Sequence, residues 1–129
     1  MHARSSATPL VDVLALLRER VMGVSESVLS TADGLLVAAD VESVHAESVA
    51  ALAAATLGVG RRMAEQTGVG PLRRMVTQCA AGHVVVFAIG ARALLAVVAD
   101  EGLDTVAFQR ETPAVVEQLT AILDADVAP

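Results

Sequence analysis

Residues 28–40, VLSTADGLLVAAD, constrain the fold of this chain more than any other segment. They predict a β-hairpin, because Asp33 and Gly34 stand between two β-prone runs and a tight turn needs residues that tolerate positive φ. The return strand, residues 35–39, is apolar at every position and therefore on both of its faces. We expect the rest of the chain to cover both faces of this strand.

Hydrophobic periodicity along the rest of the sequence predicts three helices and five strands in the order α-β-β-α-β-β-β-α. The helices are expected at residues 8–22, 44–66 and 104–123, and the strands at 24–31, 35–39, 72–79, 83–89 and 92–99. Short turns join most of the strands, so their pairings should be antiparallel. The chain is therefore expected to have an α+β fold, with one sheet and helices on both faces. The last two strands should form the centre of the sheet.

Local signals set the expected ends of the helices. Thr8 and Pro9 can start the first helix, and Ser43 is suited to cap the second. Pro113 lacks a backbone N–H and should kink or split the last helix. Residues 1–7 are expected to be a disordered tail and residues 124–129 a loose one. One domain at residues 8–123 remains between them.

The second helix is predicted to be apolar on two sides. One broad apolar side is expected to face the sheet, and it consists of Val49, Leu52, Ala53, Thr56, Leu57, Val59, Met63 and Ala64. The small residues Ala51, Ala54 and Gly58 form a second side, where a solvated helix would be polar. Because small residues permit close approach, we expect this second side to face another molecule.

Composition narrows the classes of partner and the location. The net charge is −6, all nine basic residues are arginines, and Trp and Tyr are absent. An acidic chain without basic clusters or aromatic platforms argues against nucleic acid and against an anionic membrane surface. Residues 1–7 lack the apolar region of a signal peptide, and no apolar run reaches membrane-spanning length. The expected location is the cytoplasm, with no integral membrane segment.

Catalytic and metal-binding signals are sparse. The sequence contains no HExxH, no P-loop and no GxSxG motif, and a single cysteine makes a thiolate metal cage improbable. Cys79 and His83 flank one turn, so a Cys–His dyad is one alternative, but it lacks a third partner. We expect no catalytic residue, no metal and no cofactor, and a protein that is not an enzyme.

The order of the segments resembles the Roadblock/dynein light-chain domain family over residues 9–123. The resemblance is carried by GV-x-x-x-VLSTADGLLVAA at residues 23–39, the Ala-rich helix at 50–64, the half-polar strand at 72–78, G-x-VVVFAIG at 82–90 and ALLAVVAD at 93–100. The hairpin with its Asp-Gly turn is the most specific part. Pro113 departs from the pattern, because related domains usually have an uninterrupted last helix.

This resemblance implies a five-stranded antiparallel sheet of order 2-1-5-4-3. The middle helix would lie on one face, and the N- and C-terminal helices on the other. It also implies a homodimer formed through the third strand and the middle helix, which agrees with the half-polar third strand being an edge. The expected interface residues are Ala51, Ala54, Gly58, Leu72, Arg74, Val76 and Gln78.

The resemblance further implies a non-enzymatic regulator or scaffold for a small Ras-like GTPase. The gene sets of similar actinobacterial proteins also encode a sensor-kinase-like protein, which is a second expected partner. The candidate GTPase contacts are Glu47, Arg61, Arg62 and Glu65. The two arginines are expected to add charge at the rim of the contact rather than an arginine finger. The alternative function is a small-molecule-sensing or signalling adaptor domain without a GTPase partner.

Overall fold

The computed structural model describes residues 2–127, and the side chains of residues 9–125. The elements are α1 (His2–Arg20), β1 (Val24–Thr31), β2 (Leu36–Asp40), α2 (Ala46–Thr67), β3 (Arg74–Cys79), β4 (Gly82–Ile89), β5 (Ala93–Asp100) and α3 (Thr105–Val127). The strands form one antiparallel sheet of order β2-β1-β5-β4-β3. This confirms the predicted α+β class and strand order, with β5 at the centre.

Two apolar cores, one on each face of the sheet, explain this arrangement. Alternate residues of a strand point to opposite faces, so in β5 Leu95 faces α1 and α3 whereas Leu94 faces α2. We call these the α1–α3 face and the α2 face. Leu14 of α1 and Leu57 of α2 are both fully buried, and burial of such a side chain contributes about 1.5–3 kcal/mol. The predicted placement of the helices is confirmed.

The hairpin forms as predicted, and its return strand is covered on both faces only in the half farther from the turn. Gly34 has φ +97°, and the N–H of Thr31 donates to the carbonyl of Leu35 at 2.9 Å. The return strand β2 lies at the edge of the sheet, and Leu36 and Val37 next to the turn are exposed. Ala38 is buried in the core of the α1–α3 face, and partly buried Ala39 packs against the core of the α2 face.

Both terminal helices are longer than predicted. α1 starts at His2 rather than Thr8, so residues 2–7 are helical, and Met1 lies outside the described residues. Pro9 lies inside α1, where it removes only one helical hydrogen bond. α3 continues through Pro113 to Val127, so the expected loose tail from residue 124 is helical there. Residues 128–129 lie outside the described residues.

Helix α2 starts two residues later than predicted and is capped by His45 instead of Ser43. The Nδ1 atom of His45 accepts a hydrogen bond from the N–H of Ser48 at 3.2 Å. Ser43 is unavailable as a cap because it is bound to Glu26. At the other end of α2, Gly68 adopts φ +68° and its N–H donates to the carbonyl of Ala64.

The carboxylate of Glu26 on β1 holds the loop that leads into α2. One of its oxygens accepts hydrogen bonds from the backbone N–H groups of Glu42 (2.7 Å), Ser43 (2.8 Å) and Val44 (3.1 Å). The other accepts from the Ser43 hydroxyl at 3.0 Å. Burial by itself would raise the pKa of Glu26, but these hydrogen bonds outweigh it and lower the pKa to about 2. A buried, charged Glu26 thus fixes where α2 begins.

Candidate functional site

Strand β3 is a free edge of the sheet, as predicted. Among residues 2–127 it pairs on one side with β4 and with no strand on the other. Residues directly opposite each other on paired strands share a face, so Arg74 and Val76, opposite Phe87 and Val85, lie on the α1–α3 face. Val76 is 56% exposed. Gln78 lies on the same face and is exposed, whereas Leu72 is partly buried under α2.

The prediction of which side of α2 faces the sheet is correct for Ala53 and Leu57 but wrong for its larger residues Leu52, Val59 and Met63. The residues buried against the sheet are small except for one leucine: Ala50, Ala53, Leu57 and Gly60. A Cβ at Gly60 would overlap the side chains of Met75 and Leu72. The helix therefore lies closer to β3 than a larger residue would permit, and Gly60 serves this packing within the chain.

The larger apolar residues of α2 are exposed instead. Leu52, Val59 and Met63 are 69%, 57% and 59% exposed, and with half-buried Thr56 they recur at the spacing of one helix side. We call these four residues the α2 stripe. Thr56 and Leu52 line an apolar groove of about 350 Å³ together with Thr77 of β3 and Val84 of β4. The α2 stripe thus lies on the side of the helix that faces the β3 edge.

The small residues of the predicted interface lie on the other side of α2. A Cβ at Gly34, in the hairpin turn, would stand 3.3 Å from the Cα of Ala51 and 3.5 Å from the Cβ of Ala54. Gly58 shares that side by helical spacing and has open space around it. The hairpin leads to β2, at the edge opposite β3. The structure therefore does not bring Ala51, Ala54 and Gly58 together with the predicted interface residues of β3.

The four predicted GTPase contacts do not form one cluster. Arg61 is half-buried and donates from Nη2 to the carbonyl of Gly90 at 3.1 Å. Arg62 and Glu65 are exposed near the same end of α2, whereas Glu47 is exposed in the first turn. Glu47 and Arg61 are separated by fourteen residues, roughly 21 Å along the helix axis.

The Cys79–His83 alternative fails on geometry. Cys79 pairs with Gly82, and Gln78 pairs with His83. Because neighbouring residues of a strand point to opposite faces, the Cys79 thiol and the His83 ring lie on opposite sides of the sheet. In the described part of the chain, no group of three His, Cys, Asp or Glu residues could hold a metal ion. No helix within residues 2–127 is long and apolar enough to cross a membrane.

Sequence reasoning missed the exposure of the α2 stripe. The spacing of residues 52, 56, 59 and 63 marked them as part of an apolar helix side, but that side was assigned to the sheet.

Comparisons with known proteins identify the fold family. The family model of the Roadblock/LC7 domain matches residues 10–99. The structure is similar to a Roadblock/LC7 domain from Streptomyces avermitilis, with 26% identity, a TM-score of 0.80, and coverage of 86% of this chain and 94% of that one. It is also similar to MglB in a tetrameric arrangement (19% identity, TM-score 0.87, coverage 95% and 93%) and to Myxococcus xanthus MglB (18%, 0.81, 95% and 92%). No curated protein matches the sequence significantly. Because the family model covers most of the chain, this protein belongs to the Roadblock/LC7 domain family.

Proposed function

We propose that this protein is a non-enzymatic homodimer that binds a small Ras-like GTPase and regulates its nucleotide cycle or its placement. Membership of the family supports the class of partner, since similar bacterial proteins are expected to act with such GTPases. The observation that carries the homodimer is the exposed α2 stripe beside the free β3 edge. A sensor-kinase-like protein and a cytoplasmic location remain parts of the same proposal.

In the proposed dimer, β3 pairs with β3 of a second copy about a two-fold axis. A two-fold interface uses the same patch on both copies, and pairing satisfies the unpaired backbone groups of an edge strand. The α2 stripes of the two copies would then face each other and bury Leu52, Val59 and Met63. Burial of each such side chain contributes about 1.5–3 kcal/mol. The summed contribution of both copies must exceed the free-energy cost of association.

Arg74, Val76 and Gln78 remain in the proposed interface. Leu72 is partly buried under α2 and supports the interface from within the same chain. Ala51, Ala54 and Gly58 do not, because they lie on the side of α2 that faces the hairpin. The tetrameric arrangement of the similar MglB structure shows that a protein of this fold can self-associate.

The dimer is tested by one charge placed on either side of α2. Leu52→Glu puts a carboxylate in the α2 stripe and should give a monomer at concentrations where the wild type is a dimer. Ala51→Glu is the matched control, since Ala51 is the preceding residue, is exposed and faces away from β3. Light scattering after size-exclusion chromatography measures the mass of both variants. A dimeric Leu52→Glu protein, or a monomeric Ala51→Glu protein, would contradict the proposed interface.

The GTPase is tested with the Ras-like GTPase encoded nearest to this gene. Biolayer interferometry should show binding that differs between the GTP-loaded and GDP-loaded forms. If the dimeric wild-type protein binds the GTPase in neither nucleotide state, the proposed GTPase partner is rejected and the adaptor alternative is favoured.

A further inference from the structure

The spacing of the α2 stripe indicates how two copies of the helix can pair. Its residues 52, 56, 59 and 63 are separated by four, three and four positions. Intervals of three and four are those of the seam between two packed helices, and this order of intervals is the same from either end. Two antiparallel helices related by a two-fold axis would therefore place Leu52 of one copy opposite Met63 of the second. Thr56 would lie opposite Val59 in the same way.

The position of α2 over β3 leads to the same arrangement independently. The C-terminal part of α2 lies over the first half of β3, because a Cβ at Gly60 would overlap the side chain of Met75. Met63 is about one turn further along the helix. Leu52, at the other end of the stripe, lines a groove with Thr77 in the second half of β3. When two β3 strands pair in antiparallel fashion, the first half of one lies beside the second half of the other. Met63 of one copy is thereby brought towards Leu52 of the second.

The groove beside Leu52 is suited to an apolar side chain. Its volume is about 350 Å³, and it is lined by seven apolar residues and two threonines, with Thr77 and Val84 on the strand side. The hydroxyl of Thr56 donates to the carbonyl of Leu52 at 2.9 Å, so it is already satisfied within the helix. No charged residue lines the groove, and a polar ligand would find few of the hydrogen-bonding groups that fix such molecules. We call it the Leu52 groove.

Met63 has the properties that an occupant of this groove needs. It is 59% exposed in the single chain, so its side chain is available to a second copy. A methionine side chain is unbranched and flexible and fills irregular apolar gaps. Val59, the other exposed apolar residue of this half of the stripe, is β-branched and stiff and lies nearer the centre of the seam.

We propose that the Leu52 groove of each copy receives the Met63 side chain of the other, and that this contact determines which chains are accepted as a partner. The inference rests on the proposed homodimer and adds its register and its selectivity. A second chain with a charged residue in place of Met63 would bury an unpaired charge in the groove, and one with a short residue would leave the groove empty. Such penalties against the wrong partner are a source of specificity.

The register is tested by mixing two charge variants. Leu52→Glu and Met63→Arg should each raise the dissociation constant of the dimer by roughly 100-fold or more, because the two-fold axis buries each unpaired charge twice. In a mixed dimer the introduced carboxylate meets the introduced guanidinium, and the second contact is still between Leu52 and Met63. Native mass spectrometry should therefore detect mixed dimers at concentrations where each variant alone is a monomer.

The matched control is a mixture of Leu52→Glu with Leu52→Arg. It contains the same opposite charges, but in an antiparallel seam they lie at opposite ends, roughly 16 Å apart along the helix axis, so this mixture should remain monomeric. Mixed dimers in the control alone, in both mixtures equally or in neither would overturn the register while the wild type is a dimer. A monomeric wild type would reject the proposed homodimer and this inference together, so the two failures are distinguishable.

The selectivity is tested with uncharged variants. Met63→Ala should weaken its own dimer by roughly tenfold because both grooves are left empty, and labelled wild type should bind it about threefold more weakly than it binds itself, since one of two contacts is lost. Met63→Leu conserves volume and should stay within about threefold of wild type. Val69→Ala is the control, because Val69 is 79% exposed after the end of α2 and lies outside the stripe. Circular dichroism verifies the fold of each variant. Equal dimer affinities of Met63→Ala and Val69→Ala would overturn the role of Met63.

Discussion

Replacement of Glu26 by Gln tests how a buried charge positions α2. The side chain is 5% exposed and accepts hydrogen bonds from three backbone N–H groups and one hydroxyl. Gln keeps the shape and one acceptor oxygen, but it removes the charge and presents an NH₂ group to the Ser43 hydroxyl. The variant therefore changes the electrostatics of the loop with little change in packing.

The magnitude follows from the pKa of Glu26, which lies at about 2 in the folded protein against an ordinary value of 4.5. A difference of this size is equivalent to roughly 3 kcal/mol of folding free energy, at about 1.4 kcal/mol per pH unit. Because the folded-state pKa is lowered, the stabilisation is complete above about pH 5 and is lost as the pH falls towards 2. At neutral pH we expect Glu26→Gln to lower the free energy of unfolding by up to about 3 kcal/mol. Near pH 2 the two proteins should converge.

Urea unfolding followed by far-ultraviolet circular dichroism is the suitable assay, because the chain has no Trp or Tyr for fluorescence. Protein concentration must be constant, since self-association contributes to apparent stability. Glu101→Gln is the control, because Glu101 is an exposed carboxylate in the turn after β5. Hydrogen exchange at the N–H groups of Glu42, Ser43 and Val44 should increase in Glu26→Gln. A stability difference that is the same at pH 7 and pH 3, or one that Glu101→Gln reproduces, would refute the reasoning.

Two further predictions concern α2. Gly60→Ala should destabilise the protein by about 1–3 kcal/mol, because the added methyl group overpacks against β3. Gly58 has open space around it, so Gly58→Ala should instead stabilise the helix by about 0.5–1 kcal/mol. Thermal unfolding measures both, and equal effects would contradict the assigned faces. Arg61→Ala combined with Arg62→Ala should weaken GTPase binding modestly through loss of rim charge, while saturating variant still gives wild-type stimulation of GTP hydrolysis. Loss of stimulation with intact binding would instead identify an arginine finger.

The sheet could be predicted from the sequence because its signals are local. β1 has the predicted bounds, Val24–Thr31, and Gly34 supplies the positive φ on which the hairpin prediction relied. The orientation of α2 could not be predicted in the same way. Both of its sides are apolar, and the usual rule places the larger residues inside. Here the need for close approach at Gly60 places the small residues inside and leaves Leu52 and Met63 exposed.

The candidate site depended still more on tertiary structure. The β3 edge could be predicted from its polar residues alone. The side of α2 that faces this edge could not. Arg61 and Gly90 are 29 positions apart in the sequence, yet the Arg61 side chain donates to the Gly90 carbonyl, because the end of α2 and the β4–β5 turn lie at one end of the sheet.

The two edges of the sheet differ in a way that favours β3 as the strand that pairs with a second copy. At the β2 edge, Leu29 pairs with Ala38 but Ser30 pairs with Leu36, so Val37 forms a bulge that interrupts the ladder. Bulges twist an edge and hinder addition of another strand. β3, in contrast, pairs with β4 in unbroken register from Arg74 to Cys79, and its outer edge is correspondingly regular. Both edges expose apolar side chains. Only at β3 do they lie beside an uninterrupted row of free backbone donors and acceptors, and only there does the α2 stripe lie next to the edge. Self-association through β3 would thus leave the bulged β2 edge at each outer end of a continuous sheet, where its irregular backbone opposes further growth.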